Sequence, residues 1–346
     1  MTHRELIARS FADFVGHCLP GSPLYALLAA AVAEDTALLG LAERTRPGQP
    51  PPNMLFAAVH DLLLRGDRHP LAAFYPSLGG RAPAGPAAVA AFRDFCLGRA
   101  ASIGELLATR LTQTNETARC AYLLPAFAMV QRLGGGRPLA LIEVGASAGL
   151  NLNFDRYGYD YGDGREYGEP GAAVRLAAEL RGDVRPPLPA CTPEVAWRCV
   201  VDLSPVELGD PEAVRWLEAL IWPEQEARLS RLRGAVAIAL DHRPPVRRGD
   251  ALALLPGLIA EAPAGAALCV FHTHVTYQFS AEMRARLEET FVAAGQARPV
   301  YRLSCEHSGA ELPRLTLRTY GSGRVEERPL ARTTGHANWI EWQAAA

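Results

Sequence analysis

The sequence predicts an α/β protein. An all-helical front part precedes a mostly parallel sheet, and the sheet closes in an antiparallel hairpin. Three observations carry this. Apolar residues recur at helical spacing up to residue 136. Beyond it, short apolar runs alternate with helical stretches, as parallel βα units require. Near the end, two strand-like runs, Leu315–Tyr320 and Arg324–Leu330, flank the turn Gly321-Ser322-Gly323.

In chain order, the spacing predicts helices over Glu5–Val15, Pro23–Ala33, Asn53–Leu64, Pro86–Leu97, Ile103–Leu111 and Glu116–Leu133. Pro23 and Pro86 stand at helix starts, where a missing N–H does no harm. Pro47–Pro52 and Gly79–Pro83 read as loops. Gly134-Gly135-Gly136 ends the last helix and divides the chain into residues 1–136, a helical cap, and 137–346, the α/β part. Expected strands are Leu139–Val144, Ala196–Val201, Val246–Arg248, Ala267–His272 and Pro299–Ser304. Helices are expected at Asp210–Leu220, Pro223–Leu240, Ala251–Ala260 and Ser280–Ala294. Residues 153–193 are aromatic and turn-rich around Tyr157–Gly164, and read as an inserted hairpin or loop.

Composition removes several function classes. The chain has 346 residues, 49% of them hydrophobic, enough for a large core, and a net charge of −2 that offers no global basic field to nucleic acid or membrane. All 35 Lys+Arg residues are arginine. With no lysine, a Walker A phosphate loop, the kinase signature set and a pyridoxal Schiff base are all impossible. The seven cysteines are scattered without a Cys-x-x-Cys pair, which predicts reduced core residues in a cytoplasmic protein. The first ten residues carry Arg4, Glu5 and Arg9 and lack the apolar core of a signal peptide. No apolar run reaches the roughly 20 residues of a membrane span.

Four segments carry chemistry. Glu143-Val144-Gly145-Ala146-Ser147-Ala148-Gly149 is an acid at a strand end followed by a small-residue turn, where a ligand meets backbone rather than Cβ atoms. Val200-Val201-Asp202-Leu203-Ser204-Pro205 places a carboxylate where both hydroxyls of a ribose can be accepted. Gly249-Asp250-Ala251 ends a short strand and opens a helix; Asp250 serves equally as a helix N-cap or as a partner for an adenine amine. The run Leu268–Tyr277 is a buried strand that opens into a polar edge.

Taken in order, these segments resemble the class I S-adenosylmethionine-dependent methyltransferases. Residues 143–149 fit the first motif with Ser147 at the middle glycine, residues 200–205 fit the strand-two motif, and 249–251 the strand-three signature. The resemblance covers about residues 137–335 and implies a Rossmann-like, seven-stranded methyltransferase sheet under the helical cap. The segments Gln113–Arg119, Gly149–Tyr157 and Leu220–Gln225 are also similar to a poorly characterised bacterial family that carries a domain-of-unknown-function label. The resemblance implies S-adenosylmethionine as cofactor, held by Glu143, Gly145, Ala146, Ser147, Gly149, Asp202, Leu203, Asp250 and Ala251, with Arg119 on the methionine carboxylate. It implies methyl transfer to a small-molecule nucleophile near His272, His274 or Tyr277, any of which would act as base or orient the substrate.

Rival readings stand beside these. Gly145 and Gly149 fit the dinucleotide fingerprint Gly-x-Gly-x-x-Gly poorly. His272 and His274 alternate on a strand, so their side chains are expected on one face. Glu306 or His307 would complete a metal site for hydrolysis, but polar strand-edge residues are the preferred reading and no metal is expected. Thr114 or Asn115 is the expected N-cap of the helix before the first strand. Trp222-Pro223 is expected to break one helix and start another. Arg228, Arg231, Arg233, Arg243, Arg247 and Arg248 read as a solvated face rather than a nucleic-acid site. A third reading is a protein that holds the cofactor or its demethylated product without transferring a methyl group.

Overall fold

The computed structural model describes residues 1–113, 115–307 and 311–344. Contacts divide the chain into two units, residues 1–114 with 209–233, and residues 115–208 with 234–346. The first unit is helical. It contains α1 (His3–Cys18), α2 (Pro23–Glu34), α3 (Thr36–Ala42), α4 (Pro51–Leu64), α5 (Pro86–Gly98) and α6 (Ala100–Thr109). Helix α7 (Cys120–Leu133) belongs to the second unit, while α8 (Pro211–Ala219) returns to the first and α9 (Glu226–Asp241) runs on from it. The expected division at 136 therefore moves to 114, because α7 packs on the central sheet: Phe127 lies edge-on to Phe271 at 5.1 Å between ring centres.

Helix α4 centres the helical unit, with Met54 to Leu63 buried throughout. Phe56 stacks on Tyr25 at 4.4 Å and meets Phe11, Phe14 and Phe92. The buried Asp61 is held by Arg65 at 2.8 Å and Arg215 at 3.0 Å. Removing one partner of such a pair costs on the order of 3–5 kcal/mol. Trp222-Pro223 does separate α8 from α9, and the residues around it also pack: Trp222 lies edge-on to Phe14, and Glu224 accepts from Ser22 Oγ at 2.6 Å and Leu24 N at 2.9 Å at the start of α2.

The second unit is α/β. Its strands are β1 (Leu139–Val144), β2 (Gly158–Asp160), β3 (Glu166–Gly168), β4 (Arg175–Ala177), β5 (Glu179–Arg181), β6 (Val195–Asp202), β7 (Val246–Arg248), β8 (Ala267–Thr273), β9 (Val300–Glu306), β10 (Arg314–Gly321), β11 (Arg324–Thr333) and β12 (Trp339–Trp342). Helices α10 (Ala251–Glu261) and α11 (Ala281–Ala297) lie between later strands. Among the described residues, the main sheet has nine strands in the order β5-β12-β11-β10-β9-β8-β1-β6-β7. Strands β7, β6, β1, β8 and β9 run parallel, and β10, β11 and β12 follow as antiparallel neighbours. Every residue of β1 and β8 is buried, as expected of parallel strands covered on both faces.

The seven strands expected become nine. Beyond the hairpin, Trp339–Trp342 adds a strand, and β5 pairs with it in parallel at the sheet edge. The insertion is more than a hairpin, since β2 pairs antiparallel with β3 and parallel with β4 in a separate small sheet. No single helix among the described residues is long and apolar enough to cross a membrane. Of the seven cysteines, Cys191 is exposed and the other six are buried.

Candidate functional site

The sheet winds outward in both directions from its centre. From β1 the chain goes on to β6 and β7 on one side, then to β8 and β9 on the other. Ligands in open α/β sheets bind beyond the carboxyl ends of the strands at such a reversal. Here the reversal lies between β1 and β8, so the loops after them define the candidate site.

The loop after β1 turns through left-handed residues, with φ of +67° at Gly145, +54° at Ser147 and +71° at Gly149. A Cβ on Gly145 would lie 2.5 Å from a methyl of Val275, and one on Gly149 would lie 2.7 Å from Val200. Both glycines therefore serve conformation and close packing. Ser147 adopts the left-handed conformation that a glycine would take more cheaply, at about 1–2 kcal/mol of strain. Asp202 at the end of β6 stabilises it: Oδ2 accepts from Ser147 N at 2.8 Å, and Oδ1 from Ser204 N at 2.8 Å. Each oxygen keeps a further lone pair.

Glu143, 2% exposed, ends β1 beneath this loop. Its Oε1 accepts from Asn151 Nδ2 at 2.9 Å, and its Oε2 is buried without a partner. Burial pushes the carboxyl up to about 8, against the pull of Asn151 and of the Arg119 charge. Two more unpartnered buried oxygens belong to residues at this loop, Asn115 Oδ1 and Ser147 Oγ. Asn115 was an expected N-cap; it instead donates from Nδ2 to Ala146 O at 2.6 Å, and Glu116 caps the 3-10 turn Thr117–Arg119. Thr114, the alternative cap, lies outside the described residues. On the β6–β7 side, Leu203 is 71% exposed beside Asp202, and Gly249 N donates to Asp202 O at 2.9 Å. Asp250 caps α10 through Leu252 N at 3.0 Å, with Ala251 buried behind it. Asp202 thus joins the three strand ends, through its carboxylate to Ser147 N and through its backbone O to Gly249 N.

The loop after β8 is tied by a second carboxylate. Glu306, at the end of β9, accepts from Val275 N at 3.0 Å, Thr276 N at 3.2 Å and His272 Nδ1 at 2.7 Å. Burial would raise this carboxyl, but the His272 hydrogen bond and the two N–H groups hold it below the ordinary range. His272 Nε2 accepts from Arg302 Nε at 3.1 Å, so both ring nitrogens are engaged and the tautomer is set. Arg302 in turn bonds Glu288 at 3.1 Å. His272, 1% exposed, is thereby a link in a buried polar chain with no free nitrogen for proton transfer.

The expected alternation of His272 and His274 stops short, because β8 ends at Thr273 and His274 turns to φ +55°. His274 lies edge-on to His307 at 5.6 Å between ring centres, and Tyr277 to His307 at 5.0 Å. Burial, then the Arg119 charge, lower the His274 imidazole to about 4, so it is neutral at physiological pH. Arg119 reaches Thr273 O and Oγ1 at 3.3 and 3.0 Å and Gly335 O at 3.2 Å. His336 Nδ1 donates to the buried Glu116 at 2.9 Å. Among the described residues, no three His, Cys, Asp or Glu side chains are grouped to hold a metal ion. Of the arginines expected on a solvated face, Arg233, Arg243 and Arg247 pair with Glu218, Glu207 and Glu261.

Sequence reasoning named Glu306 only as a metal ligand and did not single out Asn151, Arg302 or His336. A signal for Glu306 was present: like Glu143 and Asp202, it is an acid closing an apolar run. His336 offered none, since it meets Glu116 across 220 positions. No curated protein and no solved structure matches this chain. The family described as an uncharacterized protein conserved in bacteria (DUF2332) matches residues 8–342, nearly all of the chain, and the chain belongs to that family.

Proposed function

We propose that the protein binds S-adenosylmethionine across the carboxyl ends of β1, β6 and β7 and passes its methyl group to a small-molecule nucleophile beside β8. The observation that carries this is the group of unpartnered buried oxygens at the β1 loop: Glu143 Oε2, Asn115 Oδ1 and Ser147 Oγ. Buried polar atoms without partners call for donors from a ligand or water. The residues fit the cofactor. Glu143 Oε2 would accept from the methionine ammonium, whose charge would favour its ionised form. The remaining lone pairs of Asp202 would accept the ribose hydroxyls. The exposed Leu203 would cover the adenine, and Asp250 Oδ2, unused in the helix cap, would take its amine.

When bound, the cofactor supplies a methyl group on a positive sulfur, which needs alignment more than activation. The protein's part is then to fix the cofactor on a stiff loop and hold the acceptor in line. Calorimetric titration with S-adenosylmethionine and S-adenosylhomocysteine tests the binding. A Kd on the order of 1–100 μM is expected, weakened at least about tenfold in Asp202→Ala, where hydrogen bonds to a charged group are lost. Absence of binding by either ligand overturns the reading.

A second reading, binding without transfer, is favoured by the engaged nitrogens of His272, which leave the strand end without a base at that position. A labelled-methyl transfer screen over small hydroxyl, amine and carbon acids separates the two.

A further inference from the structure

Beside the end of β8 lies a set of donors that the cofactor reading leaves unused. Arg119 spends Nε on Gly335 O and Nη1 on Thr273, while its Nη2 has no partner among the described residues. No carboxylate lies within 4.0 Å of its guanidinium among those residues. Thr273 and Gly335 directly precede His274 and His336, so one guanidinium grips the backbone beside both imidazoles. His307 packs on His274, and Tyr277, 52% exposed, packs on His307. Two ring nitrogens here, His274 Nε2 and His307 Nδ1, are buried without a partner. Glu116 is already committed, to Ala118 N and to His336 Nδ1.

An arginine without a counter-ion and two unpartnered imidazole nitrogens form a donor set for an oxyanion. The guanidinium offers charge and the N–H groups of Nη2, and the imidazoles add directed N–H donors. Left empty of such a ligand, the buried nitrogens each carry a desolvation penalty. We propose that Arg119, His274 and His307 bind the carboxylate or phosphate group of a small-molecule substrate, with His336, oriented by Glu116, at the edge of that site. This deepens the methyl-transfer reading and rests on it only in naming the anion's owner as the methyl acceptor. It reassigns Arg119 from the methionine tail to the acceptor.

The test is a titration of the full chain, labelled with nitrogen-15 at histidine, with inorganic phosphate and separately with succinate at neutral pH. Resonances are assigned with His274→Asn and His307→Asn. One anion should shift both imidazoles and saturate with a Kd on the order of 1 mM. The anion that does so decides between phosphate and carboxylate. Arg119→Gln and His307→Asn should each weaken it by about tenfold, as loss of a charge-assisted or directed bond would. Because Arg119 also holds backbone, His307→Asn decides the matter if Arg119→Gln fails to fold.

Prior saturation with S-adenosylhomocysteine should leave anion binding intact. An anion site that persists when S-adenosylhomocysteine does not bind supports this inference while the methyl-transfer reading falls. Silence towards both anions overturns it, and so does unchanged binding in both variants. Displacement of the anion by S-adenosylhomocysteine also overturns it, by returning Arg119 to the cofactor.

Discussion

The loops after β1 and β8 use one device to opposite ends. Each is tied by a carboxylate at the end of the neighbouring strand: Asp202 of β6 holds Ser147 N, and Glu306 of β9 holds Val275 N and Thr276 N. Asp202 is half-buried, spends one bond on the loop, and retains lone pairs. Glu306 lies in a buried chain that continues through His272 and Arg302 to Glu288, and Arg318 and Tyr320 also bond Glu288. One carboxylate leaves capacity for a ligand; the other is consumed by the fold. An acid at a strand end is therefore not a functional residue by position alone. What distinguishes the two is how many protein donors have already claimed it.

The largest effect is expected at the saturated end. Glu306→Ala strands the N–H groups of Val275 and Thr276 and the Nδ1–H of His272, and should cost on the order of 3–5 kcal/mol in denaturant unfolding. A loss under about 1 kcal/mol would erase the contrast between the loops.

Glu143 comes next, through pH. Its carboxyl rises to about 8 in the folded protein from an ordinary 4.5. The folded state thus holds a proton that the unfolded chain has released. This contribution to stability is full below pH 4.5 and is lost as pH rises towards 8. Glu143→Gln should remove that pH dependence, worth up to about 5 kcal/mol across the window, and parallel pH profiles for the two proteins would show that the carboxyl is not buried as described.

The loops meet at Gly145 and Val275, which permits a coupling test. Gly145→Ala adds a Cβ 2.5 Å from Val275 at a left-handed residue. A loss of about 2–3 kcal/mol is expected. Val275→Ala in the same chain should recover about 1 kcal/mol of it, and strict additivity would break the claim that the loops are in contact. The smallest effect belongs to Asp202→Ala, about 1–2 kcal/mol in stability, while S-adenosylhomocysteine affinity falls further than stability does. If stability and affinity moved the other way round, Asp202 would be a structural cap like Glu306.

Much of this was legible in the chain. The strand Leu139–Val144 lies where an apolar run ends in a turn, and the hairpin forms around Gly321-Ser322-Gly323, because those signals are local. Strand β5 and the short β12 were not legible. Strand β5 depends on β12 for its hydrogen bonds across about 160 residues, β12 also leans on β11, and neither carries a long enough period to announce itself. Among site residues, Asp250 as an N-cap and the turn at residues 145–149 follow from residue type. The engagement of His272 does not, since it depends on Arg302 and Glu306 arriving from another strand.

By itself, the sequence determined where most of the long helices and the central parallel strands fall, which chemistries lysine's absence forbids, and where acids close strands. These are properties of residue type and short-range periodicity. Only the tertiary structure decided that residues 209–233 join the N-terminal helices and that the small-residue turn hangs from Asp202. It alone showed that Glu306 is spent while Glu143 is not. Burial and hydrogen-bond saturation are set by neighbours distant in the chain, and no local pattern encodes how many of them a carboxylate will meet.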